Sequence, residues 1–304
     1  MTSRITPEML SASTLTDINR AQAALQRSTE EMSSGHRILE PSDDPYGASR
    51  IIDLEGQLEG LGSYASSVQD GVGWTEAANG AMDNVQSVLQ RVRELLVEAS
   101  NGTLNEGDLH SIGAEVTQLT ESIKQAANTQ YGGQYIFSGS ATTTAPYQAG
   151  GEDAYQGNEE AVARAIAPGS TVNVSMALSS VLGSGTAAND GKLLDVLRTI
   201  AQNLQEATPA SRTAIGTTDL AALDSNMEAL TQLQAVTGAT TDQLNTAATR
   251  IESLQDTLTK ALSSTQDANL AEVSIAYSNE QAAYSAALRA GATIIQESLL
   301  NFLQ

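Results

Sequence analysis

Two tracts of this chain, residues 46–145 and 210–304, contain no proline. Proline inside a helix costs about 3 kcal/mol, so both tracts are open to helices much longer than average. Apolar residues fill them at helical spacing. Ile51, Leu54, Leu58, Leu61, Ala65, Val68 and Val72 step by three and four. Met82, Val85, Leu89, Val92, Leu96 and Ala99 repeat the pattern, as do Ile112, Val116, Leu119, Ile123 and Ala126. Leu244, Ala247, Ile251, Leu254, Leu258 and Ala261 supply a fourth run. A 3.5-residue apolar period is the seam of a coiled coil or antiparallel bundle. At ~1.5 Å per residue, a helix over 48–100 extends roughly 80 Å if unbroken. The pattern changes phase near Gly73–Gly80, and Gly71, Gly73 and Gly80 are places where such a helix can bend. Aromatic residues make up only 4% of the chain, too few for a thick core and in keeping with an elongated rod.

The middle of the chain reads differently. Residues 131–191 hold ten of the 24 glycines. Tyr135, Ile136 and Phe137 sit among polar residues, and Thr171–Ser175 alternates after a Pro168-Gly169 turn, as short strands do. Asn189-Asp190-Gly191 offers a turn and cap before a short amphipathic helix with Leu193, Leu194, Val196, Leu197 and Ile200. The fold class expected is therefore mainly α with a small β-rich insertion: an elongated coiled-coil or helical-bundle rod whose N- and C-terminal helices pair. Five regions follow. Residues 1–45 are an N-terminal amphipathic helix and loop, and 46–134 the first half of the helical rod. Residues 135–190 are the β-rich insertion, 191–268 the second half of the rod, and 269–304 a C-terminal amphipathic helix.

The two ends resemble each other. Ile18, Leu25 and Met32 stand in heptad register, and Leu288, Ala292, Ile295, Leu299 and Phe302 step by four and three. An isolated helix with an apolar stripe is marginal in water. These stripes must therefore meet each other, a neighbouring copy, a chaperone, or the body of the same monomer.

Charge and composition exclude several classes. With 15 Lys and Arg against 36 Asp and Glu, the net charge is −21. Nucleic acid and anionic membrane surfaces both require clustered positive charge. There is no cysteine, hence no disulfide, thiolate metal site or cysteine nucleophile. The first residues, MTSRITPEMLSASTL, lack the apolar core of a secretory signal, and no run is long enough to span a bilayer. His36 and His110 have no partner at ligand spacing, so no metal and no cofactor is expected. H-E-x-x-H, G-x-S-x-G and the phosphate-loop pattern are absent, which argues against an enzyme. Asp43-Asp44, followed by Pro45, suits a turn or helix cap better than acid–base work. Glu152, Asp153, Glu159 and Glu160 do not match a calcium-loop spacing. The tyrosines around 131–155 leave open a binding or enzymatic module in the insertion.

Residues 33–47, Ser-Ser-Gly-His-Arg-Ile-Leu-Glu-Pro-Ser-Asp-Asp-Pro-Tyr-Gly, resemble the N-terminal signature of the bacterial flagellin family, S-S-G-x-R-I-x-x-x-x-D-D-x-x-G. The matching positions are Ser34, Gly35, Arg37, Ile38, Asp43, Asp44 and Gly47. Leu89–Leu95 and Ala99–Thr103 resemble its second helical motif. Tyr131–Gly139, Gln281–Leu288 and Ser298–Leu303 resemble the branch of the family at the junction of hook and filament more than the filament subunits.

The resemblance implies a non-enzymatic structural adaptor, or alternatively a short filament subunit. It implies self-association in a ring, with flagellin on one side and hook-associated protein 1 on the other. It further implies an export chaperone on the C-terminal helix and passage through the flagellar type III route to the extracellular flagellum. Ile18, Leu25 and Met32 would then pack with Leu288, Ile295, Leu299 and Phe302 of the same or an adjacent subunit as the assembly interface. Arg91, Leu95 and Glu115 match positions where an innate immune receptor recognises many flagellins; the alternative is an ordinary exposed ion pair.

Overall fold

A computed structural model describes residues 7–150, 154–186 and 188–302, with side chains from 9 to 293 within those ranges. Helix α1 (Pro7–Ser34) leads into α2 (Pro45–Ala99) and α3 (Glu106–Ala127). Two short antiparallel pairs follow, β1 (Gln130–Tyr131) with β2 (Gln134–Tyr135) and β3 (Ala163–Ala167) with β4 (Ser170–Asn173). Then come α4 (Ser179–Leu182), α5 (Leu193–Glu206), α6 (Pro209–Ala214), a π-helical turn (Ile215–Asp219), α7 (Leu220–Gln266) and α8 (Leu270–Phe302). The chain divides into two compact units: residues up to Gly60 with those from Leu254 onward, and Leu61–Ser253.

The larger unit holds the main core. Met82, Val85, Leu89, Val92, Leu96 and Ala99 are all buried on one stripe of α2. They share a hydrophobic cluster with Ile112, Val116 and Ile123 of α3, Leu197 and Ile200 of α5, and Leu223, Leu230 and Leu244 of α7. Helix α2 continues past Gly71, Gly73 and Gly80 as one helix of 55 residues. Two of these glycines lie where neighbours come close, while Gly80 faces open space. A side chain at Gly73 would lie 2.3 Å from the Tyr131 hydroxyl, and one at Gly71 would lie 3.3 Å from Leu244 Cδ1. The helix carries no side chains there because its neighbours come close, and Trp74, Thr75 and Ala78 continue the buried stripe. Around Trp74, Arg164 of β3 stacks 5.5 Å from the ring centre and binds Asp70 at 2.6 Å, tying the hairpin to the helix.

Each short strand pair turns on glycines with positive φ, Gly132 and Gly133 in one and Gly169 in the other. The apolar residues of this middle segment, Ile136, Phe137, Tyr147, Val174, Leu178 and Val181 among them, join the same cluster as α2, α3 and α5. Regular strand is correspondingly sparse there: the five residues of β3 and four of β4 cannot enclose a core, so the segment covers one instead. Helix α5 forms where expected, although its turn is held otherwise than by a side-chain cap. Asp190 accepts from the Ser184 and Lys192 amides at 2.9 and 3.0 Å, and Asp195 accepts from the Gly191 amide at 3.1 Å.

Candidate assembly surface

The smaller unit pairs α1 with α8. The residues of α1 that are wholly or partly covered are Ser11, Thr14, Ile18, Ala21, Ala24, Leu25, Ser28 and Glu31. Those of α8 are Val273, Ala276, Tyr277, Glu280, Tyr284, Ala287 and Gly291. The spacing is helical but the residues are mostly small or polar, which brings the backbones close. A side chain at Gly291 would meet Ile18 Cδ1 at 2.9 Å and Thr14 Cγ2 at 3.4 Å. Within the seam the Ser28 hydroxyl donates to the Glu280 carboxylate.

The larger apolar side chains lie largely outside this seam. Leu15 is 55% exposed, Met32 43% and Leu288 45%, with Met9, Leu10, Leu270 and Ile275 exposed as well. The expected stripe of Ile18, Leu25 and Met32 therefore splits. Ile18 and Leu25 are half-buried, while Met32 faces solvent. An α-helix drifts about 20° per heptad against a strict seven-residue repeat, and after Ser28 the contact line passes through Glu31 rather than Met32. Leu288 likewise stands beside the covered Ala287. The side chains of Ile295, Leu299 and Phe302 lie outside the described residues.

A clasp joins the end of α1 to the α7–α8 corner. The Arg37 amide donates to the Gln266 carbonyl at 2.7 Å and the Ala268 amide to Gly35 at 2.8 Å, flanking a bridge between His36 and Asp267. The Arg37 guanidinium reaches the Thr265 carbonyl at 2.9 Å, and the His36 ring lies 3.3 Å from the Asp267 carboxylate. Gly35 reverses the chain with φ +75°, which only glycine adopts without strain.

Asp43 and Asp44 divide the next turn between them. Asp43 accepts from the Leu39 and Glu40 amides at 3.2 and 3.1 Å and pairs with Arg27 at 3.2 Å. Backbone donation from Glu40 and Leu39, then the Arg27 charge, holds its carboxyl below the usual range. Asp44 caps α2, accepting from the Gly47 amide at 2.9 Å, with Pro45 at the first helical position. A side chain at Gly47 would strike Ile38 Cδ1 at 2.5 Å, and Ile38 is buried. Ser34 donates to the Glu30 carbonyl and accepts from the His36 amide. Every signature position thus has a local structural task.

In the larger unit, Arg91 and Glu115 form an exposed pair at 2.9 Å, and the Glu115 hydrogen bond raises the Arg91 pKa above its ordinary value. Leu95 is only 2% exposed, packed inward on the α2 stripe, so it is not a surface residue of the expected trio. His110 is exposed, and no cluster of metal-ligating side chains occurs among the described residues. Sequence reasoning missed Ser28, Glu280, Gly291, Gln266 and Asp267. For the seam the available signal was the spacing of Ser, Thr, Ala and Gly at 11, 14, 21 and 28 against 287 and 291.

Residues 5–142 match the bacterial flagellin N-terminal helical region. The chain is 35% identical over 141 residues to flagellin of Salmonella muenchen, covering 46% of this chain, and 35% identical over 135 residues to that of Salmonella dublin. The matches span 28% and 27% of those flagellins' own length. Among solved structures it resembles FlgL of Xanthomonas campestris (TM-score 0.60, 18% identity, 69% of this chain and 99% of that one). Hook-associated protein 3 of Legionella pneumophila gives TM-score 0.61 at 16% identity over 70% of this chain and 98% of that one. A Vibrio parahaemolyticus chain provisionally named a flagellar hook-associated protein gives 0.66 at 21%, covering 74% of this chain and all of that one. At these identities the structural likeness is one of fold.

Proposed function

We propose that this chain, which carries the flagellin N-terminal helical region, is a non-enzymatic structural subunit of the bacterial flagellum that joins the hook-associated ring to the first flagellin subunits. The observation that carries the reading is the α1–α8 pair. It is closed mostly by small and polar residues, with Ile18, Leu25, Val273, Tyr277 and Tyr284 among them, and leaves Leu15, Met32, Leu270, Ile275 and Leu288 to solvent. A pair serving only the monomer would bury its largest apolar side chains first. Two helices built this way are suited to further layers of helix from neighbouring copies. The clasp through Arg37 and His36 holds the pair at a defined register for that purpose.

In this reading residues 1–45 and 269–304 form the assembly layer, Ile295, Leu299 and Phe302 extend it, and 135–190 lie toward its outside. Copies associate in a ring between hook-associated protein 1 and flagellin. A chaperone covers the C-terminal helix until the flagellar type III route exports the chain. Deleting the gene tests this: loss of filaments with flagellin spilling into the medium is expected, while normal filaments overturn it.

The 35% identity to flagellins supports a second reading, a short filament subunit. Purified chain added to flagellin seeds separates the two. A junction subunit does not extend the seeds as a homopolymer; long filaments of this chain alone would establish the alternative.

A further inference from the structure

The chain contains four sites where asparagine or aspartate precedes glycine: Asn79-Gly80, Asn101-Gly102, Asp70-Gly71 and Asp190-Gly191. Such pairs are prone to a ring closure in which the glycine nitrogen attacks the side-chain carbon. The reaction needs a free side chain, an unbonded amide and a backbone able to fold back. Three of the four sites withhold these. Asn79 and Asp70 lie inside α2, where each following amide belongs to the helical ladder. Asp70 is in addition bound by Arg164. At Asp190 both carboxylate oxygens are occupied by the Ser184 and Lys192 amides, and the Gly191 amide donates to Asp195.

Asn101 differs on every count. It stands just beyond α2, in the connection to α3, and is exposed. Its own amide donates to Glu98 at 3.1 Å, but neither its side chain nor the Gly102 amide has a hydrogen-bond partner among the described residues. Nothing lies within 4 Å of a side chain placed at Gly102, so the turn has room to change shape.

The geometry points to Asn101 as a site of spontaneous covalent modification, converting to aspartate and isoaspartate in the folded protein. Gly102 N loses its proton to solvent base and bonds to Asn101 Cγ. The Cγ–Nδ2 bond breaks and ammonia leaves, giving a five-membered succinimide. Water then opens either carbonyl, so that asparagine plus water becomes aspartate or isoaspartate plus ammonia, with no change of oxidation state. Both products add a negative charge beside Glu98 at the C-terminal end of α2, the end a helix dipole disfavours for anions. Isoaspartate also routes the main chain through the side-chain carbon, lengthening a connection whose Leu104 carbonyl accepts from Arg212 at 2.9 Å.

The test is incubation of the purified full chain at mildly alkaline pH, followed by tryptic mass mapping. The peptide Glu94–Lys124 is expected to gain about one mass unit and split into two chromatographic species. Peptide Ile51–Arg91, containing Asn79, is expected to change about tenfold more slowly or less, because its site reacts only after local opening of α2. In denaturant the two peptides should convert at similar rates. Gly102→Ala should slow the change at Asn101 while leaving thermal unfolding of the fresh protein unaltered. Equal rates for both peptides in the folded chain overturn the proposal. So does an unchanged Glu94–Lys124 peptide over the time in which the denatured chain converts.

Discussion

Replacing Leu15, Met32 and Leu288 together by glutamine separates assembly from folding. Each side chain is about half exposed in the free chain, at 55%, 43% and 45%. Full burial of a leucine or methionine is worth about 1.5–3 kcal/mol, so covering the exposed half contributes about 1 kcal/mol at each position. Three such residues give about 3 kcal/mol per subunit, or roughly two orders of magnitude in the association constant. Glutamine keeps a helix propensity close to that of leucine and methionine, so the free chain should lose no more than about 0.5 kcal/mol per site. Thermal unfolding followed by circular dichroism measures the second effect. Sedimentation of assembled material, and filament restoration in a deletion strain, measure the first. The expected outcome is a chain of near-native stability that fails to assemble. Full assembly by the triple variant would refute the reasoning, and loss of several kcal/mol from the monomer would show that these residues are core instead.

Leu89→Ala empties a fully buried site at the centre of the α2 stripe and should cost about 2–5 kcal/mol in denaturant unfolding, with no new surface to explain the loss. Gly73→Ala places a methyl group against the Tyr131 hydroxyl. It should destabilise by about 1–3 kcal/mol and alter the fluorescence of Trp74, whose ring meets Tyr131 edge-on at 6.3 Å. Asp43 has a folded pKa below its ordinary value, so the stability it contributes is present above about pH 4 and is lost as pH falls through the folded value. Asp43→Asn should therefore flatten the acid limb of a stability–pH curve while leaving the slope between neutral and mildly alkaline pH unchanged.

Where burial follows repeat, the fold was legible in advance. The Met82–Ala99 run is buried at every position because an uninterrupted apolar stripe on a long helix has one stable outcome. The signature loop was legible in a narrower sense. Pro45 after two aspartates announced a helix start, but the division of labour between Asp43 and Asp44 depends on which amides the turn presents. The seam of α1 and α8 was misread in part, for a physical reason. Attention to large apolar residues selects Met32 and Leu288, whereas close helix pairs are made by small ones such as Ala21, Ser28, Ala287 and Gly291. Leu254 shows the same limit. It continues the Leu244–Ile251 run in register, yet it is 43% exposed.

The amino-acid order by itself determined the helical character, the proline-marked boundaries, and the buried face of α2 over Met82–Ala99. Those properties arise from local dihedral preferences and from periodicity along one chain segment. Only the tertiary structure decided why α2 carries glycine at 71 and 73, since Tyr131 and Leu244 approach there from elsewhere. It alone decided that α1 and α8 meet mostly through small and polar residues and keep Leu15, Met32 and Leu288 outside. A periodic pattern specifies which residues share a face, but which part of that face is covered depends on the distance and rotation of a partner helix hundreds of residues away.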